Sequence, residues 1–335
     1  MSYSILYTDN GVTKDISDFV TGIQYGGERQ TAVRKLEVSV LSGTDAYIPK
    51  LELNRGAMLT LLSGSKELIR AVIFKEERDD KGNVKITAYT HGIYLAKNKD
   101  TCKYEQQKAS QIVQDICKRF GITAGVIADT KIILPKLIFR EKTLWDMILV
   151  SVTETTKQSG IKYRVFFNKG TLNIAEKRSQ TVMWALEAGV NLLSANVSKS
   201  IEELRNQIKV TGKLPKGGNK ELEFTVKNTA FQKLYGIMQE AREETGDGTT
   251  ESKLVQIANT ILKELCREEI EADVEAIGID GVESGMAVYV VETVSGLTGS
   301  YYIEQDDHSI EGNKHTMRLK LVFTDEVPAL EYDSQ

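Results

Sequence analysis

The chain has 335 residues, enough for two to three domains of roughly 150 residues, each with a sizeable core. Its 43 Lys and Arg against 47 Asp and Glu give a net charge of −4, which argues against a nucleic-acid binder with its basic excess. Hydrophobic residues at 41% and charged residues at 27% describe a soluble globular protein; no apolar run reaches the ~18 residues that span a bilayer, and Met1-Ser2-Tyr3-Ser4 opens no signal peptide.

The first hundred residues read as β-strands. Leu36, Val38 and Val40 alternate with Lys35, Glu37 and Ser39, the two-residue period of a half-buried strand. Further strands are predicted at 58–62, 70–74 and 84–89, the last two joined by Asp79-Asp80-Lys81-Gly82-Asn83, where glycine accepts a positive φ in a hairpin turn. The pattern then turns helical. Ala109, Ile112, Val113, Ile116, Cys117 and Phe120 fall on one helix face, with Gly121 placed to end the helix. A second helix starts at Thr143 as N-cap, carries Leu144, Trp145, Ile148, Leu149 and Val152, and ends before Gly160. A hairpin through Asn168-Lys169-Gly170 follows, so 99–182 reads as a compact α/β unit. Strands return at 206–210, 222–226, 270–277, 286–291, 301–304 and 316–323. They are interrupted by the stripe Leu254, Ile257, Ala258, Ile261, Leu262 and Leu265 of a further helix.

Two β regions so far apart invite a test for repetition. Gly56 precedes one strand and Gly82-Asn83 turns into another; Gly285 and Gly312-Asn313 do the same in the second region, with glycine separations of 26 and 27 residues. A duplicated β-domain is the expectation.

Motifs that carry chemistry are mostly lacking. Ser63-Gly64-Ser65-Lys66 has Leu59 where a phosphate-binding loop needs its first glycine, and it reads as a hairpin turn, as does Gly217-Gly218. Cys102, Cys117 and Cys266 form no CxxC pair, so neither a disulfide framework nor a zinc ribbon is expected. His91 follows a strand. His308 and His315 fall on one face across a predicted hairpin with Asp306, a set that can hold zinc but is more simply hairpin polar surface. The pairs Glu202-Glu203, Glu243-Glu244 and Glu268-Glu269 lie in polar stretches without the apolar pocket that raises a catalytic carboxyl. Trp145 and Trp184 read as core. Residues 236–275 hold eleven acidic and four basic side chains. That excess suits either a solvated helical surface or docking to a basic partner. The segment 286–291 is apolar on both alternations, so its second face, Ala287, Tyr289 and Val291, is either buried in the fold or a candidate subunit interface.

The sequence resembles the XkdQ/YqbQ-type baseplate hub of contractile phage tails and phage-tail-like particles. The resemblance runs through Glu67-Leu68-Ile69-Arg70-Ala71-Val72-Ile73, Ile86-Thr87-Ala88-Tyr89 and Ala109-Ser110-Gln111-Ile112-Val113. It continues through Leu144-Trp145-Asp146, Leu204-Arg205-Asn206-Gln207-Ile208-Lys209-Val210 and Gly299-Ser300-Tyr301-Tyr302-Ile303. Ala71 departs from the glycine frequent in that family. The resemblance implies an α+β, β-rich fold: two tail-tube-like antiparallel β-barrel or sandwich domains, a small α/β domain between them and a helical insert. The tube-like units are then 1–98 and 183–327, the second interrupted by the insert 228–267, with 99–182 as the α/β domain and 328–335 as a tail.

It further implies a non-enzymatic structural hub, made in the bacterial cytoplasm and assembled into the baseplate of a virion or a tail-like bacteriocin. There a homotrimer presents six similar domains and matches the sixfold tail tube to the threefold spike. The implied partners are the tail tube protein, the spike protein and other baseplate proteins, the tape measure among them. No cofactor or metal, no nucleic-acid sequence recognition and no membrane insertion are expected. The alternative is a tail-associated cell-wall (peptidoglycan) hydrolase, for which Glu202 and Glu203 are the first residues to test. A carbohydrate- or receptor-binding module is disfavoured by 7% aromatic residues without clustered Tyr and Trp.

Overall fold

The structure, a computed structural model, describes residues 3–43, 49–177, 182–213, 221–244, 250–323 and 327–332. The chain forms two compact bodies, a larger one of Met1–Asn196 with Ala272–Gln335 and a smaller one of Val197–Glu271.

The larger body opens with β1 (Tyr3–Asp9), β2 (Val12–Asp15), β3 (Val20–Glu28), β4 (Arg34–Leu41), β5 (Met58–Ser63), β6 (Lys66–Arg78) and β7 (Asn83–Tyr89). The alternation predicted for β4 is realised: Leu36, Val38 and Val40 are buried in a core with Ile5, Leu59, Leu61, Ile73 and Ile86. In the β6–β7 turn Asp79 accepts the backbone N–H groups of Lys81 and Asn83, and Gly82 takes φ +81°.

The α/β unit follows: α1 (Gly92–Lys97), β8 (Lys99–Lys108), α2 (Ala109–Phe120), β9 (Ala124–Ile127), β10 (Ile133–Thr143), α3 (Leu144–Ser159), β11 (Tyr163–Asn168) and β12 (Thr171–Glu176). β8 and β10 make an antiparallel ribbon, and β11, β12 and β9 a small sheet. Both helices end as the sequence predicts. Gly121 and Gly160 adopt φ +64° and +72°, and the Thr143 hydroxyl accepts the Asp146 N–H at 3.0 Å. Ile112, Ile116, Leu144 and Ile148 pack into one core with Phe139, Tyr163 and Leu172.

β13 (Trp184–Glu187) and β14 (Leu192–Ser200) lead to the smaller body. It comprises β15 (Gln207–Lys213), β16 (Glu221–Lys227), α4 (Thr229–Tyr235), β17 (Gln239–Glu244) and α5 (Glu251–Leu265). Its core joins Ile208 and Val210 of β15 to Leu254, Ala258 and Ile261 of α5. The insertion is therefore neither wholly helical nor confined to 228–267. β15 and β16 belong to it because their apolar sides pack on the helix stripe, and Glu243 and Glu244 lie on a strand. The predicted turn at Gly217-Gly218 falls outside the described residues.

β18 (Glu269–Ile277) returns the chain to the larger body, followed by β19 (Ala287–Glu292), β20 (Leu297–Glu311) and β21 (Lys314–Val322). Apart from those of the α/β unit and of the smaller body, the described strands form one sheet, ordered β14-β18-β21-β20-β3-β4-β7-β6-β5-β1-β2, with β19 on β20 and β13 on β19.

The expected duplication is written in this order. From one end the first region runs β3-β4-β7-β6-β5-β1 and the second β14-β18-β21-β20-β19-β13, the same sequence of chain positions. Details agree. Val72 pairs with both Met58 and Tyr89, as Tyr302 pairs with both Ala287 and Val322. A β-bulge follows at once in each, between Ile73 and Lys75 and between Ile303 and Gln305. Gly56 N–H donates to Ile73 C=O at 2.8 Å, and Gly285 N–H to Ile303 C=O at 2.7 Å. One feature differs: β1 pairs antiparallel with β5, whereas β13 pairs parallel with β19.

Candidate functional site: the seam between the two β repeats

The two repeats meet where β3 adds to β20. The ladder is antiparallel from Gln305↔Glu28 to Ile310↔Ile23, and it is extended by the Arg29 N–H donating to Glu304 C=O at 2.8 Å. β20 serves two strands in succession along one edge: β19 up to Tyr302, then β3 beyond the bulge. Gly26 is required at this seam, because a Cβ there would stand 2.2 Å from the Asp306 carbonyl oxygen.

Beneath the ladder lies a buried polar chain. Asp306, fully buried, takes the Arg34 guanidinium in a two-pronged bond at 2.9 and 2.6 Å, and also accepts the Ser284 N–H at 2.7 Å. Burial works against the charge on Arg34, but Asp306 and Glu283 outweigh it and hold the guanidinium protonated above its ordinary range. Two residues on, His308 stacks flat on Tyr25, ring centres 4.5 Å apart. Its Nε2 lies 2.9 Å from the Val282 carbonyl and its Nδ1 2.9 Å from His315 Nε2. His315 Nδ1 lies 2.8 Å from the Tyr3 hydroxyl, which is 3.0 Å from Asp280.

The donors can be assigned in turn. A carbonyl only accepts, so His308 carries its proton on Nε2 and accepts at Nδ1 from His315 Nε2–H. The bare His315 Nδ1 and Asp280 then compete for the single Tyr3 proton. Burial pushes His308 down to about 4, against the opposing pull of Asp306, and lowers His315 despite Asp280. Both imidazoles are neutral near pH 7. Burial, reinforced by Asp280, raises the Tyr3 hydroxyl.

The opposite face of the sheet is wet and charged across the seam. Glu77 pairs with Lys85, Glu37 with Gln24, Gln24 with Ser309, and Asp307 with Arg318. Ion pairs run along it: Lys75–Glu77 at 2.8 Å within β6, Lys35–Glu37 at 3.0 Å within β4, and Lys85–Glu37 at 3.2 Å between β7 and β4. The row Glu37, Gln24 and Ser309 carries polar side chains from one repeat into the other, beside the gap that Gly26 leaves between Lys35 and Asp307.

The residues singled out from the sequence are dispersed. His308, His315 and Asp306 do come together, but the imidazoles bond directly to each other; among the described residues no His, Cys, Asp or Glu group has metal-ligand geometry. Ala287 is buried and Val291 half-buried, while Tyr289 is 41% exposed and Val288 and Val290 on the opposite alternation are fully buried. Glu202 and Glu203 are exposed, Glu268 accepts from the Tyr235 hydroxyl, and Ser63–Lys66 is the β5–β6 turn. Trp145 is core; Trp184 is half-buried at the sheet edge. His91 borders Gly170 of the β11–β12 turn, its Nδ1 buried without a hydrogen-bond partner among the described residues. Among the described residues no helix is long and apolar enough to cross a membrane.

Similar proteins are found both by sequence and by fold. The chain is 28% identical over 307 residues to YqbQ of Bacillus subtilis, covering 90% of this chain and 91% of that one. It is equally similar to XkdQ of the phage-like element PBSX of the same organism, covering 90% and 92%. Among solved structures, the 43 kDa tail protein of prophage MuSo2 from Shewanella oneidensis superimposes with a TM-score of 0.74 at 15% identity, over 98% of this chain and 100% of that one. A tail protein from Neisseria meningitidis gives 0.68 at 12% identity over 96% and 97%. The YQBQ-like family profile matches residues 23–322, a span that holds the α/β unit, the second repeat and all of the first from within β3 onward, and the chain belongs to that family.

Proposed function

We propose that this chain is the structural hub of a contractile tail baseplate, three copies closing a ring between the sixfold tail tube and the threefold spike. The observation that carries this reading is the duplicated strand order within one continuous sheet. One chain holding two similar units side by side lets three chains offer six near-equivalent positions, which adapts one symmetry to the other. The names of its relatives, a phage-like element protein and prophage tail proteins, support the same setting. The charged face that continues across the seam suits the wall of a water-filled central passage. Its Lys and Glu side chains neutralise one another and leave few apolar atoms to hold a passing chain. The partners are the tail tube protein, the spike protein and neighbouring baseplate proteins, the tape measure among them.

Tyr289 is the surface residue of β19 that we assign to a subunit contact; Ala287 is too buried to share in it. A hydrolase reading has less support, since Glu202 and Glu203 are exposed to solvent, where nothing raises a carboxyl toward a catalytic value.

Mass measurement in solution, alone and mixed with the tube and spike proteins, tests the hub. A threefold mass in the mixture is expected, and Tyr289→Asp should reduce it while the isolated chain melts as before. A single-chain mass in every mixture, or dissolution of purified peptidoglycan lost in Glu202→Gln, overturns the reading.

A further inference from the structure

A cleft of about 400 Å³ opens beside the seam, walled by the first repeat, the second repeat and the α/β unit. Its lining is cationic: seven Lys and Arg side chains stand there against three Glu. Each wall contributes. Lys66 and Arg70 come from β6, Arg164 from β11, and residues 281–286 from the segment that enters β19. Two glycines of that segment let the cations come close. A Cβ at Gly281 would stand 2.9 Å from Lys66 Nζ, and one at Gly285 would stand 3.4 Å from Arg164 Nη2.

The cleft is apolar between its charges. Leu68, Phe166 and Met286 also line it, and the Arg164 guanidinium carbon lies 5.1 Å from the centre of the Phe166 ring. Arg70 has bonding capacity to spare. It pairs through Nη2 with Glu67 at 2.6 Å, while its Nε is buried with no hydrogen-bond partner among the described residues. Buried polar atoms are ordinarily hydrogen-bonded, so this N–H marks a place for an acceptor. The side chain is 38% exposed, and a small turn of its flexible stem brings the N–H to the cleft. A carboxylate arriving there takes the two-pronged bond that Asp306 takes from Arg34 in the seam. His91 stands in the same wall. Burial, helped by the Arg70 charge, lowers its proton affinity and keeps it neutral near pH 7.

We propose that this cleft binds an acidic peptide segment of a partner protein. Arg70 and Lys66 hold its carboxylates, and an apolar side chain lies on Phe166 and Met286. Charge alone would also suit inorganic phosphate, but the apolar surface between the cations calls for a side chain as well. The excess of positive lining steers an acidic segment toward the cleft. All three walls belong to one chain, so the site stands whether or not three copies close a ring.

Calorimetric titration of the full chain with the peptide acetyl-Gly-Glu-Glu-Phe-Glu-Glu-Leu-Gly-amide tests the assignment, beside its Gln-for-Glu counterpart and inorganic phosphate. One Glu peptide per chain is expected, bound more weakly as salt is added. Arg70→Gln should weaken it at least about tenfold, the loss of a charge-assisted hydrogen bond. Lys66→Ala, at an exposed position beside the β5–β6 turn, should weaken it too and decides the matter should Arg70→Gln unfold the chain. In NMR spectra of the histidine rings, the peptide should shift His91 more than His308 and His315. No binding of the Glu peptide at millimolar concentration, equal binding of the Gln peptide or of phosphate, or unchanged affinity in the folded variants overturns the site. Each of those failures leaves the trimer measurement, and with it the hub reading, untouched.

Discussion

At the scale of single residues, the seam depends on charge placed where water does not reach. Asp306 is fully buried and spends both oxygens on Arg34 and Ser284. Asp306→Ala leaves the Arg34 charge without its counter-charge in a low-dielectric site. A loss of roughly 3–5 kcal/mol is expected, measured by urea unfolding at pH 7. His308 gives a pH dependence of determined sign. Its folded value of about 4 lies below the ordinary 6.5, so the unfolded chain binds more protons between those values. The neutral-state stabilisation is complete above pH 6.5 and is lost as pH falls toward 4, by about 3 kcal/mol at most. His308→Gln should flatten the acid limb of the stability curve in that window; an unchanged slope would contradict a buried neutral imidazole. Part of this site was legible from the sequence. A hairpin centred on Gly312 places Asp306, His308 and His315 on one face, and they do meet. Arg34, Tyr3, Tyr25 and Asp280 were not legible, because the contacts they make cross between repeats: Arg34 lies 272 positions from Asp306, a partnership that no local period records.

At the scale of elements, short-range signals located what they govern. Thr143, Gly121, Gly160 and the Lys169-Gly170 turn act through groups a few residues away, and each is found where its chemistry demands. The long strands were harder to read. β6 and β20 extend well beyond the predicted 70–74 and 301–304, because each changes partner along its length and carries a bulge that breaks the two-residue alternation. The ribbon of β8 and β10 likewise holds Gln106 and Glu141 at positive φ, which interrupts its pattern. The seam itself depends on a strand property, the absence of a side chain at Gly26. A Cβ there would meet the Asp306 carbonyl oxygen at 2.2 Å, and backbone cannot yield as a side chain does. Gly26→Ala should therefore force β3 away from β20 and speed amide exchange across 305–310 more than across 83–89. Equal acceleration in both would mean a general loss of stability rather than an opened seam.

At the scale of the whole molecule, duplication is the deepest pattern and the one the sequence marked most faintly. Glycine fixes turns by its backbone freedom, so Gly56 and Gly285, and Gly82 and Gly312, kept their places while the side chains between them diverged. The extent of the insertion was hidden for a related reason: β15 and β16 have the same alternation as sheet strands, and only the helix they pack against shows that they belong to a different body. The repeat also indicates where that body was added. β14 and β18 hold the positions of β3 and β4, which residues 29–33 connect directly, so residues 201–268 occupy the place of one short loop. Its own buried set, Ile208, Val210, Leu254, Ala258 and Ile261, makes it a unit whose folding energy is internal. Replacing residues 201–268 by a glycine-serine linker of about five residues, the length of an ordinary strand connection, should leave the larger body folded. Its near-ultraviolet circular dichroism and a single sharp thermal transition are the measurements. A shortened chain that binds hydrophobic dye and melts without cooperativity would mean that the larger body needs the smaller one to hold its sheet.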